Sequence, residues 1–95
     1  MKAAIFCPKF IDPQTVYMLM PQEVNEIVSA IGFDFCAEAV ARRLRCRCDI
    51  TLTVDEAILK ADFIYVIWDG RAKRMFDVAE KAKQQGKKMW FSLLP

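Results

Sequence analysis

Ala61-Asp62-Phe63-Ile64-Tyr65-Val66-Ile67-Trp68-Asp69-Gly70-Arg71 decides the fold of this chain. Phe63 to Trp68 is an unbroken apolar run, rich in β-branched and aromatic residues and stopped by Asp-Gly. That is the length and composition of a parallel strand buried on both faces. The segment that follows has a helical period: Ala72, Met75, Phe76, Ala79 and Ala82 recur at spacings of three and four, and Lys73, Arg74, Glu80, Lys81, Lys83, Gln84 and Gln85 fill most of the remaining surface. Gly86 stands where a C′ glycine belongs, and Lys87-Lys88-Met89-Trp90-Phe91 then reads as a further strand. A crossover helix between two buried strands is a βαβ unit, and open parallel sheets take their ligands outside the carboxyl ends of the strands. The turn at Asp69-Gly70 is therefore where function is expected.

Working outward, Ala3 to Cys7 reads as a first strand closed by Pro8. Phe10 to Pro21 is a connection with apolar content and two prolines, Pro13 and Pro21, and no clear period. Val24, Ile27, Val28 and Ile31 mark a helical stripe after Pro21, with Glu23 in its first turn, and Gly32 interrupts it. Asp34 is placed to cap a second helix, with Cys36, Ala37, Val40, Ala41 and Leu44 inward and Glu38, Arg42, Arg43 and Arg45 outward; the two stretches are either two helices or one bent one. Cys48 to Leu52 alternates like a strand, and Thr53-Val54-Asp55-Glu56 has the form of a capping box before a short helix ending near Lys60.

The resulting order is β-α-(α)-β-α-β-α-β, with connections too long for hairpins. The expectation is an α/β fold over residues 1–95: a small Rossmann-like three-layer domain with a roughly four-stranded, mainly parallel sheet. The unassigned connection leaves the direction of the first strand open.

At 95 residues and 55% hydrophobic content the chain makes one domain with a dense core. Fourteen basic against twelve acidic residues give +2, which argues for neither nucleic acid nor a membrane surface. No apolar stretch is long enough to span a bilayer, and Met1-Lys2 runs straight into Ala3-Ala4-Ile5-Phe6-Cys7 without a targeting signal. The four cysteines are then expected as reduced thiols in a cytoplasm. Cys46-Arg47-Cys48 is the one close pair, and with no histidine the spacing matches no zinc pattern, so neither a metal nor a cofactor is implied. Basic residues cluster at Arg42, Arg43, Arg45 and Arg47, and at Arg71, Lys73 and Arg74 after the Asp-Gly turn.

The succession of a helix ending in Ala61-Asp62, an apolar strand, Trp68-Asp69-Gly70, a helix, then Gly86-Lys87 and a last strand resembles the SLOG superfamily of small Rossmann-like domains. DNA-processing protein A and the lonely-guy phosphoribohydrolases belong to that group, and nucleoside deoxyribosyltransferases are near relatives. The resemblance runs from Thr53 to Phe91, and Trp68-Asp69-Gly70 is its most specific point. It implies a Rossmannoid domain with a nucleotide-type ligand at the strand ends. Family members follow Asp-Gly with a small residue and then Gly-Thr, which meet a phosphate at the helix N-terminus; here Ala72, Arg74 and Met75 stand at those positions. The family's Gly-Ser-Arg turn after the first strand is replaced by Cys7-Pro8-Lys9, and the slot of its catalytic carboxylate falls at Val78, with Asp77 and Glu80 nearby.

Three functions are set side by side on these grounds. The first is a binding module for a nucleotide-derived or other anionic small ligand, with Lys9, Asp69, Gly70, Arg71 and Arg74 around it and no catalytic residue. An aspartate just after a strand can accept ribose hydroxyls, and it can equally cap the next helix. The second is a protein-interaction or homo-oligomeric domain using Phe10, Tyr17, Met18, Leu19 and Met20, residues that the domain's own core would explain equally well. The third, ranked last, is an enzyme on a nucleoside or nucleotide glycosidic bond. A Ser-His arrangement is excluded because the chain has no histidine.

Overall fold

A computed structural model describes residues 1–9, 11–20 and 23–93, with the side chains of all of these except Pro13 and Leu19. Strands and helices alternate: β1 (Lys2–Phe6), α1 (Pro13–Leu19), β2 (Glu26–Ala30), α2 (Ala37–Leu44), β3 (Arg47–Thr51), α3 (Val54–Lys60), β4 (Phe63–Trp68), α4 (Arg74–Gln84) and β5 (Lys88–Leu93). The strands form one five-stranded sheet in the order β3-β2-β1-β4-β5. Every pairing in it is parallel, the first strand included.

Because side chains alternate across a strand, the sheet separates two cores. Ala3, Ile5, Ile27, Phe63, Tyr65 and Ile67 face α1 and α2, where they meet Val16, Ala37, Val40 and Ala41. Ala4, Phe6, Val28, Ile64 and Val66 face α3 and α4, where they meet Ala57, Ile58, Met75, Val78 and Ala82. This is the expected Rossmann-like three-layer domain. The Phe63–Trp68 run is the strand the sequence implies, buried at its first five residues.

The strand count is corrected from four to five, because residues read as a helix form β2. Ile27 and Val28 are adjacent and enter opposite cores, which a strand does and a helix does not. Ile31, the last member of the supposed stripe, lies beyond the strand and is 61% exposed. A strand buried on both faces shows apolar residues at any spacing, so three-four spacing does not distinguish it from a helix. Its one polar interior residue, Ser29, is satisfied by donating its hydroxyl to the carbonyls of Ile5 and Phe33.

The connection with no clear period contains α1, whose Asp12 N-cap accepts from the Gln14 amide at 3.1 Å. Val16 and Met20 turn into the core, Tyr17 is half-buried beneath the Arg43 guanidinium, and Met18 is exposed. Phe10 lies outside the described residues, as does the side chain of Leu19. Asp34 starts α2 with its carbonyl rather than its carboxylate, accepting from the Ala37 amide, and Cys36 holds the N-cap position. The Thr53 hydroxyl does cap α3, accepting from the Glu56 amide at 3.2 Å. Gly86 takes the left-handed conformation, φ +69°, just past the end of α4.

Candidate functional site

The strand order reverses direction at β1. The chain leaves β1 toward the face of α1 and leaves β4 toward the face of α4, so the two loops part at the carboxyl ends of neighbouring strands. In doubly wound sheets this is where ligands bind. Lys9 comes from the first loop, and Asp69, Gly70 and Arg71 come from the second. Arg74 is the first residue of α4. The five residues singled out in the sequence are thus brought to one end of the sheet.

Three contacts tie the loops together. Lys9 Nζ lies 3.8 Å from Asp69 Oδ2. Arg74 Nη2 donates to the Pro8 carbonyl at 2.6 Å, across the reversal. The Arg74 guanidinium also sits over the Phe33 ring, 4.5 Å from its centroid, so one side chain reaches the loops after β1, β2 and β4.

Asp69 shapes its own turn. Its Oδ1 accepts from the amides of Arg71 and Ala72, both at 2.9 Å. These two main-chain donors, the Ala72 amide above all, hold the carboxyl below its ordinary value, with Lys9 a lesser influence. Gly70 has φ +85°, where an L side chain is strained, although a Cβ there would find ordinary contact distance to Leu93. Trp68 Nε1 donates to the Ala72 carbonyl at 3.1 Å and pins the far side of the turn.

Of the five residues, Arg71 is exposed and its side chain enters no ion pair among the described residues. Arg74 is as much a strut as a free cation. Lys73 adds an exposed charge at the N-cap of α4, which has no side-chain cap. The two carboxylates in these loops, Asp12 and Asp69, are both taken up by main-chain amides. Lys9, Arg71, Lys73 and Arg74 outnumber them, so the formal charge of the two loops is positive. Val78 is buried in the core, while Asp77 and Glu80 are exposed on α4, so no carboxylate pair is assembled there.

Sequence reasoning missed two features. Phe33, the platform for Arg74, follows Gly32 at the end of β2, a position that the helical reading of that stretch hid. The second is a thiol pair on the first core side. The Cys7 amide donates to the Phe33 carbonyl at 3.0 Å, which draws the end of β1 toward the start of α2. There the Cys7 and Cys36 thiols act on one another's protonation. Cys36 Sγ also accepts from the Ile11 amide at 3.1 Å and donates to the Ile11 carbonyl at 2.8 Å. The neighbouring Cys7 thiol holds Cys36 down at about 7, while Cys36 together with burial pushes Cys7 up. Nothing in the sequence signals a pair so far apart. All four cysteines are free thiols, with Cys48 pushed up to about 11, chiefly by burial. No group of metal-ligating side chains occurs among the described residues.

No helix among the described residues is long and apolar enough to cross a membrane. Fold and site together define a small doubly wound α/β domain with a basic, cross-braced loop pair at the strand reversal. No protein-family model, curated protein or solved structure matches the chain.

Proposed function

We propose that the domain is a binding module for a nucleotide-derived or other anionic small ligand, held outside the carboxyl ends of β1 and β4, and that it does no chemistry by itself. The observation that carries this reading is the convergence of Lys9, Arg71, Lys73 and Arg74 on the strand reversal, where both loop carboxylates are already engaged by amides. Arg74 commits one nitrogen to Pro8 and has its plane fixed against Phe33, so it meets a phosphate or carboxylate with little further loss of freedom. Arg71 supplies the mobile charge. Ionised Asp69 keeps one oxygen near Lys9, placed to accept a hydroxyl such as that of a ribose. The SLOG resemblance agrees with a ligand at this end of the sheet. Arg74 and Met75 in place of Gly-Thr make side-chain charge, rather than main-chain amides, the means of holding the anion.

The test is a thermal-shift panel of nucleotides, cyclic dinucleotides and nucleotide sugars. A ligand at about a hundredfold excess over its Kd adds about 2.7 kcal/mol, on the order of 10 °C for a domain of this size. The shift should shrink with added salt and be lost in Arg71→Ala, whose own melting point stays that of the wild type. If no compound moves the melting point, or if Arg71→Ala responds as the wild type does, the site is not an anion site and the interaction reading takes its place.

A further inference from the structure

The two margins of the sheet are built differently. An edge strand leaves alternate main-chain N–H and C=O groups unpaired, and proteins protect such edges with charge, bulges or cover. The β3 margin is protected: Arg47 and Asp49 are exposed charged residues along it, and Asp49 is paired with Lys60 of α3 at 2.9 Å. The β5 margin has no such protection among the described residues. Only its first residue, Lys88, is charged, and Met89, Trp90, Phe91, Ser92 and Leu93 follow in a regular run paired with β4 along its whole length. Phe91 is 38% exposed, Leu93 62%, and Phe76 of α4 51%. Phe76 and Phe91 lie near-parallel with centroids 6.3 Å apart, and Trp68 packs beside both. An open backbone edge and an exposed aromatic cluster thus share one side of the molecule.

We propose that β5 is the docking edge for a second copy of this chain, the two β5 strands pairing antiparallel about a two-fold axis so that two five-stranded sheets become one. The hydrogen-bonding demand of the edge selects a β-strand as occupant, and the same edge on another copy meets it. Charge fixes the arrangement. Outward-facing residues must oppose outward-facing residues in an antiparallel ladder, so the axis passes through Trp90 or Phe91. Lys88 then lies opposite Ser92 of the second copy, or beyond its Leu93, and never opposite the other Lys88. A parallel alignment in register would set the two lysines side by side. About three outward residues on each strand give up to about six main-chain hydrogen bonds. Phe76, Phe91 and Leu93 of both copies lose water around them. This surface borders the second strand-reversal loop, where Leu93 lies beside Gly70 and Trp68 donates to the Ala72 carbonyl, but it uses none of Lys9, Asp69, Arg71 or Arg74, so association and ligand binding are read separately.

Sedimentation equilibrium from about 1 to 500 µM, a range bracketing the Kd of a modest dimer, should show a species of twice the 11.0 kDa chain mass. Over the same range, alternate amides in residues 88–93 should gain hydrogen-exchange protection as concentration rises. Leu93→Lys, at an exposed position that leaves the fold intact, should weaken association by about tenfold or more; Phe91→Lys should do so further. A chain that stays monomeric throughout overturns the proposal. So does a dimer that survives both variants with β5 amides unchanged, or one dispersed instead by Met18→Lys on α1.

Discussion

Replacing Arg74 by alanine should destabilise the domain even though the residue is exposed at the surface. The side chain makes two contacts that alanine cannot, a charge-assisted hydrogen bond to the Pro8 carbonyl at 2.6 Å and a cation–π contact to Phe33 at 4.5 Å. A hydrogen bond from a charged donor contributes roughly 1.5–3 kcal/mol when buried, and an exposed cation–π contact about 0.5–1. Water reaches this site and re-solvates part of what is lost, which places the net cost at about 1–2 kcal/mol. For a chain of this length that lowers the melting point by roughly 5–15 °C. Urea unfolding followed by circular dichroism reads it directly. The midpoint should fall while the m-value holds, because little surface changes. Arg74→Lys keeps the charge without the planar fork and should recover less than half. A double-mutant cycle with Phe33→Leu isolates the ring contact, with an expected coupling of about 0.5–1 kcal/mol. A loss below about 0.3 kcal/mol for Arg74→Ala, or no coupling in the cycle, would mean that the brace across the strand reversal does not form in solution.

Two further outcomes are expected. Val66 is fully buried in β4, in register with Phe6 of β1 and Phe91 of β5, so Val66→Asp buries an unpaired carboxylate at a cost of several kcal/mol and should abolish cooperative unfolding; an unchanged denaturation midpoint would refute its place in the core. Ultraviolet thiolate absorbance should show Cys36 losing its proton with a midpoint of about 7, the thiolate being lost as pH falls through that value, and Cys7→Ala should move the midpoint upward because it removes the neighbouring thiol while burial remains; an unmoved midpoint would show that the two thiols do not interact.

Elements whose signal is local were legible in the sequence. Phe63–Trp68 is apolar at every position, and an element buried on both faces of a parallel sheet needs no partner to be recognised. The Thr53 cap and Gly86 are chemical requirements of single helix ends, and both occur where the sequence puts them. What failed was a period. Val24, Ile27, Val28 and Ile31 fit a helix as a pattern, but in β2 the adjacent Ile27 and Val28 are divided between the two cores by the pleat. The helix α1 was hidden because Ile11, Val16 and Met20, its buried neighbours among the described residues, lie five and four apart and set no sustained stripe. For the site, the carboxyl ends of strands were recognisable from Pro8 and Asp69-Gly70. Phe33 and the Cys7–Cys36 pair were not, because each depends on β2 lying beside β1, and that adjacency is a product of the whole topology.

The braces around the strand reversal bear on how selective such a site can be. An anion held by main-chain amides at a glycine-rich turn is recognised mainly by charge and close approach. Here Asp69 takes the amides of Arg71 and Ala72 for itself, which leaves side chains to provide the positive field. Arg74 provides it as a plane clamped between Pro8 and Phe33, and a fixed guanidinium prefers planar or tetrahedral oxyanions that accept two hydrogen bonds over spherical ions. Lys9 and Asp69 form a long pair at 3.8 Å in which the lysine is mostly exposed and the carboxylate mostly covered, so an incoming phosphate can draw Lys9 away and leave the Asp69 oxygen free for a hydroxyl. For the ligand we propose, these constraints call for an oxyanion and a sugar-type hydroxyl a short distance apart. Inorganic phosphate alone should therefore bind more weakly than a nucleoside phosphate, and the difference should vanish in Asp69→Ala even where the phosphate contact survives.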